Sequence, residues 1–248
     1  MGDRRNIRLL LEYDGTRYHG WQRQKNALTI QEVVETALLK LTQEKVSLIG
    51  SGRTDAGVHA LGQVANFFTA TALPLKAFLH GLNSLLPPDI AIREVQEAPP
   101  DFHARKSARH KTYEYRLLSR PIRSPLSRTY GWWLSGNLHL EAMQEAAASL
   151  LGEHDFSAFR ASGGRVGNPR RKVLAASWRQ GPGGWLLFAI TATGFLRGMV
   201  RSLVGTMVEM GQGKRPPEDL AGLLASGDRA GAGPTAPAQG LFLVKVLY

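Results

Sequence analysis

Twice in this chain two strand-like runs follow one another with no helical segment between them, and this narrows the fold more than any other feature. The first pair covers residues 46–49 and 63–69, with a glycine-rich stretch between. The second covers 173–178 and 185–191, joined across Gly181-Pro182-Gly183-Gly184, a hairpin composition. The six residues between the second pair are too few for a parallel crossover, which needs about a dozen or more, and the glycine-rich stretch in the first pair reads as a loop, so both adjacent pairs argue for antiparallel pairing. A single parallel α/β sheet therefore fits less well.

The flanking segments extend this pattern. Residues 6–13 form an apolar strand, and Thr29 with Glu32 has the spacing of a capping box that opens a helix carrying Val33, Val34, Ala37, Leu38 and Leu41. Pro74 opens a second helix through residue 85, stopped by Pro87-Pro88, and residues 90–95 form a strand. The order is strand, helix, strand, strand, helix, strand, the split ferredoxin-like unit. It recurs with a strand at 111–118, a helix at 138–151 ending at Gly152, the hairpin pair, an apolar helix at 195–210, an added short helix at 217–225 and a last strand at 241–247. The expected fold is α+β: two ferredoxin-like (βαββαβ) halves, residues 1–104 and 105–248. Their strands would form a continuous, mostly antiparallel sheet with helices on one side and an active-site cleft between the halves.

Composition then excludes whole classes of chemistry. The 248 residues include no cysteine, so disulfides, thiolate metal sites and thiol nucleophiles are out. The seven histidines are scattered without metal-ligand spacing, and no Walker loop, dinucleotide fingerprint or Gly-x-Ser-x-Gly elbow occurs. No metal and no nucleotide cofactor are expected. No signal peptide and no apolar run of membrane-spanning length is visible, so a cytoplasmic chain is expected. The net charge of +11 points to a polyanionic partner, and nucleic acid fits best. Arginine outnumbers lysine 22 to 9, which suits bidentate phosphate contacts and stacking on bases.

Four stretches carry candidate chemistry. Gly50-Ser51-Gly52-Arg53-Thr54-Asp55-Ala56-Gly57-Val58-His59-Ala60 is a tight loop between strands with a single carboxylate. Asp55 before Gly57 fits an Asx-turn; Arg53 beside it adds a guanidinium able to keep that carboxylate ionised. In residues 15–28, Arg17 and Arg23 interleave with Tyr18 and Trp21, an arrangement for stacking bases and holding phosphates, or a loop whose aromatics cover the core edge. Arg197 and Arg201 lie four apart in the apolar segment 195–210 and would share a helical face. A buried arginine there needs a carboxylate or phosphate partner, with Asp55 the candidate for Arg201; the alternative is that both arginines snorkel to solvent. Strand alternation puts Tyr113 and Tyr115 on one face, where Tyr113 can stack on a base or simply serve the core.

Arg53-Thr54-Asp55-Ala56-Gly57-Val58-His59 resembles the signature loop of the tRNA pseudouridine synthase A family. The resemblance runs in order along nearly the whole chain: Tyr13-Asp14-Gly15, Gly20-Trp21-Gln22-Arg23-Gln24, Asp101-Phe102-His103-Ala104-Arg105, Tyr113, His154-Asp155-Phe156-Ser157-Ala158-Phe159-Arg160, Met199-Val200-Arg201 and Pro237-Ala238-Gln239-Gly240-Leu241. Lys106 and Arg197-Gly198 depart from the family pattern. The resemblance implies a cofactor-free homodimeric isomerase that converts uridine to pseudouridine at positions 38, 39 and 40 of the tRNA anticodon stem-loop. It implies Asp55 as nucleophile with Arg53 and Arg201 beside it, and substrate contacts from Tyr113, Arg17, Trp21, Arg23, His59 and Arg105. The residues by themselves leave two other functions open: an RNA-binding protein without catalysis, and a metal-dependent nuclease using Asp55 and His59.

Overall fold

The computed structural model describes residues 4–161 and 167–248. The chain is α+β, and its contacts divide it into two compact units, residues 1–109 with 243–248, and residues 110–242. Among the described residues no helix is long and apolar enough to cross a membrane.

In the first unit, β1 (Arg5–Tyr13) is followed by α1 (Ile30–Thr42), β2 (Ile49–Gly50), β3 (His59–Thr69), α2 (Leu75–Leu85) and β4 (Ile90–Ala98). All pairings among these strands are antiparallel, in the order β4-β1-β3-β2. Leu9 lies opposite Ala65 on one side and Val95 on the other. Alternation places Ile7, Leu9, Leu11 and Tyr13 on one buried face of β1. Val34 and Leu38 of α1 and Phe78 and Leu82 of α2 complete this core at the spacing of an amphipathic helix.

Two expectations fail here for local reasons. Thr29 does sit at the N-cap of α1, but its hydroxyl makes no cap hydrogen bond and is buried without a partner. The strand expected over 46–49 shrinks to Ile49–Gly50. The Leu48 N–H donates 3.0 Å to Glu35 Oε1, and its carbonyl accepts from Gln31 Nε2 at 3.0 Å. Side chains of α1 thus take the backbone groups that a ladder would have used.

The second unit contains β5 (His110–Ser119), β6 (Trp132–Leu134), α3 (Leu140–Ala148), β7 (Gly152–Asp155), β8 (Arg170–Gln180), β9 (Trp185–Ala192), α4 (Met199–Gly211) and α5 (Asp219–Ser226); β10 (Leu241–Leu247) ends the chain. The order β5-β9-β8-β7 is antiparallel throughout, while β6 runs parallel to β5. Strands β6 and β7 are additions to the expected order, too short and too irregular in polarity to signal themselves. The second helix also differs. It begins at Met199, because Gly198 adopts φ 71° immediately before it, a left-handed conformation that glycine enters without steric cost. Arg197 therefore lies off the helix, and the shared face with Arg201 does not exist.

Helix α4 is buried almost all round, including Met199, Leu203, Val204, Met207 and Met210, as a helix inside a core must be. A Cβ added at Gly205 would lie 1.7 Å from the Pro234 carbonyl oxygen, whereas one at Gly222, in α5, would meet nothing within 4 Å. Gly205→Ala should lower stability by about 1–3 kcal/mol through overpacking. Gly222→Ala should raise it by a few tenths to about 1 kcal/mol through helix propensity. Urea midpoints at constant slope measure both, and equal signs would contradict the packing.

Candidate active-site loop

The loop between β2 and β3 is held from below by a buried polar cluster. Tyr13, on β1, and Thr54 share a hydrogen bond of 2.8 Å between their hydroxyls. Gln63, on β3 and fully buried, accepts 2.7 Å from Ser51 Oγ and donates 3.1 Å to the Gly52 carbonyl. Its Nε2 also reaches the Tyr13 oxygen at 3.5 Å, so the tyrosine proton turns toward Thr54. Burial pushes the Tyr13 phenol up to about 12, against the pull of its bonds with Thr54 and Gln63. It is a neutral hydroxyl at any physiological pH. Residues 51, 52 and 54, on both sides of Arg53, are thereby fixed to two central strands.

Asp55 opens a tight turn closed by the Val58 N–H on its backbone carbonyl at 3.1 Å, with Gly57 at φ 75°. The carboxylate is half-buried. Arg53 is exposed, and its Nε donates 3.1 Å to Gln22 Oε1. The segment containing Gln22 clasps the loop by backbone contacts: the Trp21 N–H donates to the Thr54 carbonyl at 3.1 Å, and the Gly57 N–H to the Tyr18 carbonyl at 3.2 Å.

This clasp corrects part of the expected substrate surface. Trp21 is only 2% exposed and Tyr18 only 4%. The indole lies where a Cβ on Gly50 would be 2.5 Å from the ring, and the Tyr18 hydroxyl donates 2.6 Å to Asp89. Both aromatics are core beneath the loop and present no face to a base. His59 is equally interior, 1% exposed. Its Nδ1 lies 3.1 Å from both the Gly15 N–H and Asp14 Oδ1. One nitrogen serves one of them at a time, accepting from the amide as the neutral lone pair or donating to the carboxylate when it carries the proton. Either way His59 organises the 14–16 turn.

The basic positions remain outside. Arg17 is exposed and forked onto Asp89 through Nε and Nη2, and Arg23 is paired with Glu35 at 3.1 Å and Glu32 at 3.5 Å. Arg105 is exposed on a turn fastened by two buried asparagines. Asn6 Nδ2 donates to the Pro99 and Phe102 carbonyls at 2.9 Å each, and Asn66 Oδ1 accepts the Ala104 N–H at 2.9 Å. In the second unit Tyr113 is buried with Tyr115 on one face of β5, its ring edge-on to Phe195 at 4.9 Å between centroids. Arg201 donates from Nε to the Ala236 carbonyl at 2.7 Å, and the Ala236 N–H returns a bond to the Arg201 carbonyl. Next to it, the Tyr115 hydroxyl donates 2.8 Å to the Pro237 carbonyl. Tyr13, Gln63 and the two asparagines escaped the sequence reading. Their signal was a polar side chain interrupting otherwise apolar strands.

A tRNA pseudouridine synthase family model matches residues 10–105 and 146–248. The chain belongs to that family. Its relatives within the tRNA pseudouridine synthases include the tRNA pseudouridine synthase A of Geotalea uraniireducens, 50% identical over 244 residues that cover 98% of this chain and 100% of that one. The enzyme of Citrifermentans bemidjiense is 51% identical over 245 residues, 98% of each chain. That of Myxococcus xanthus is 48% identical over 242 residues, covering 98% and 91%.

The hydroxyl pair under the loop makes a quantitative claim. Thr54→Val strands the Tyr13 hydroxyl in the core and should cost about 1–3 kcal/mol. Tyr13→Phe combined with Thr54→Val should cost less than the sum of the two single changes, because both polar groups leave together. Additive denaturation free energies would show that the pair does not couple.

Proposed function

We propose that this protein isomerises uridine to pseudouridine in tRNA, at positions 38, 39 and 40 of the anticodon arm, with Asp55 as nucleophile. The likeness to tRNA pseudouridine synthase A over 98% of the chain carries this reading, and the strand-mounted loop around its only carboxylate supports it.

Exposed arginines gather the RNA by phosphate contacts, which position without reading sequence. The target uridine leaves its stack, at a cost of a few kcal/mol. Arg53 occupies the vacated space, Tyr113 packs on the base, and Arg201 keeps Asp55 charged. With Asp55 engaged, the bond from N1 to C1′ breaks, the uracil turns, and C5 bonds to C1′. C5 gives up its proton and N1 takes one, so product and substrate have the same mass. No cofactor enters this balance. The same reading makes the chain a cytoplasmic homodimer built from two ferredoxin-like halves, residues 1–104 and 105–248, on one continuous sheet. The order β4-β1-β3-β2 in the first unit supports that architecture.

Asp55→Asn tests the chemistry on an anticodon-arm transcript labelled with tritium at uridine C5. Binding by gel shift should stay within a few-fold of the parent, while tritium release should fall by about a thousandfold or more, as for loss of a nucleophile. Tritium release near the parent rate would refute Asp55. RNA cleavage in place of release would make the protein a nuclease, and binding without release by the parent would make it a binding protein.

A further inference from the structure

Helix α1 carries a polar residue where its buried stripe calls for an apolar one. Gln31 is 7% exposed beside Ile30, Val34 and Leu38. A buried amide is costly unless every group on it is bonded, and in Gln31 every group is. Its Oε1 accepts from Gln22 Nε2 at 2.7 Å and from the Arg23 N–H at 3.0 Å. Its Nε2 donates to Glu35 Oε1 and to the Leu48 carbonyl, each at 3.0 Å. Gln22 in turn accepts from Arg53 Nε at 3.1 Å. The line Arg53–Gln22–Gln31–Glu35 thus runs from an exposed guanidinium to a carboxylate whose side chain is 10% exposed.

The chemistry of the two ends fixes the direction of everything between. An arginine Nε–H can only donate and a carboxylate can only accept. Gln22 must turn its oxygen to Arg53 and its NH2 to Gln31, and Gln31 must do likewise toward Glu35. Flipping the Gln22 amide would break two bonds and flipping that of Gln31 would break four. We propose that Gln22 and Gln31 are positioning residues that hold the Arg53 guanidinium in one orientation before RNA arrives. Engaging Nε leaves the terminal Nη pair, the fork that matches a phosphate or a base edge. An exposed arginine otherwise samples many rotamers, and ordering it on binding costs roughly 0.5–1.5 kcal/mol, a two- to tenfold factor in affinity. The relay removes that cost in advance.

The inference rests on the reading of Arg53 as an RNA-contacting residue, and a double-mutant cycle separates the two. Single-turnover tritium release is measured for the parent, Gln31→Met, Arg53→Ala and the double variant. Gln31→Met should lower kcat/KM roughly two- to tenfold, mainly through KM, and should change it by less than about 1.5-fold when Arg53 is already alanine. An equal loss in both backgrounds would overturn the relay, since a merely structural glutamine acts whether or not Arg53 is present. An unchanged rate in Arg53→Ala would instead overturn the role given to Arg53. If Gln31→Met folds poorly by circular dichroism, the same cycle with Gln22→Met, at a half-exposed position, carries the test.

Discussion

The loop around Asp55 depends on one buried contact, the hydrogen bond between the Tyr13 and Thr54 hydroxyls. Loops rich in glycine have little intrinsic preference for one shape, and each ordered residue costs roughly 1–2 kcal/mol of backbone entropy. A contact on the residue just before Asp55, made from the middle of a sheet, supplies part of what offsets that cost. Gln63 adds the second fastening through Ser51 and Gly52. Because Tyr13 and Gln63 belong to neighbouring antiparallel strands, their spacing is set by the ladder and not by the loop. The loop inherits its precision from β1 and β3.

The same logic explains which parts of the molecule were legible in the sequence. The long periodic elements were readable: α1, α2, β1, the β8–β9 hairpin and the last strand lie where the apolar spacing puts them. What escaped depends on partners far away in the chain. Residues 46–48 have strand composition, yet Gln31 and Glu35 capture the backbone of Leu48 and the ladder never forms there. The start of α4 moved because Gly198 turned left-handed, a choice made by tertiary fit that periodicity cannot register. Strands β6 and β7 owe their existence to the edges they pair with, not to their own composition.

The candidate site was marked in the sequence by its motif, while the depth of its residues was illegible. The motif located Asp55 and Arg53, but the sequence cannot say which face of a mixed aromatic and basic segment turns inward. Gly15-Thr16-Arg17-Tyr18-His19-Gly20-Trp21 reads as a stacking surface only if its rings look out, and here Tyr18 and Trp21 look in. The backbone bonds to the loop at Thr54 and Gly57 decide this, since they require the segment to lie flat against it and drive its large side chains beneath. His59 follows the same rule. Its position opening β3 commits it to the turn at Asp14 and Gly15.

With the rings withdrawn, the exposed side chains of this segment include its arginines, and these are not bare charges. Arg17 is forked onto Asp89, and Arg23 lies between Glu32 and Glu35. An incoming phosphate must therefore compete with a carboxylate already in place. The guanidinium ends are exposed, but the Asp89 and Glu35 side chains are only 14% and 10% exposed, so releasing such a carboxylate costs more than breaking a fully exposed pair. The consequence of the pairing is geometric: each guanidinium is held near one bearing. A chain with a net charge of +11 gains attraction for a polyanion from its overall field, which acts at long range and weakens with salt. Arg53 stands apart among these side chains, because the partner that holds it is a neutral amide. Its positive charge meets no counter-charge in that bond.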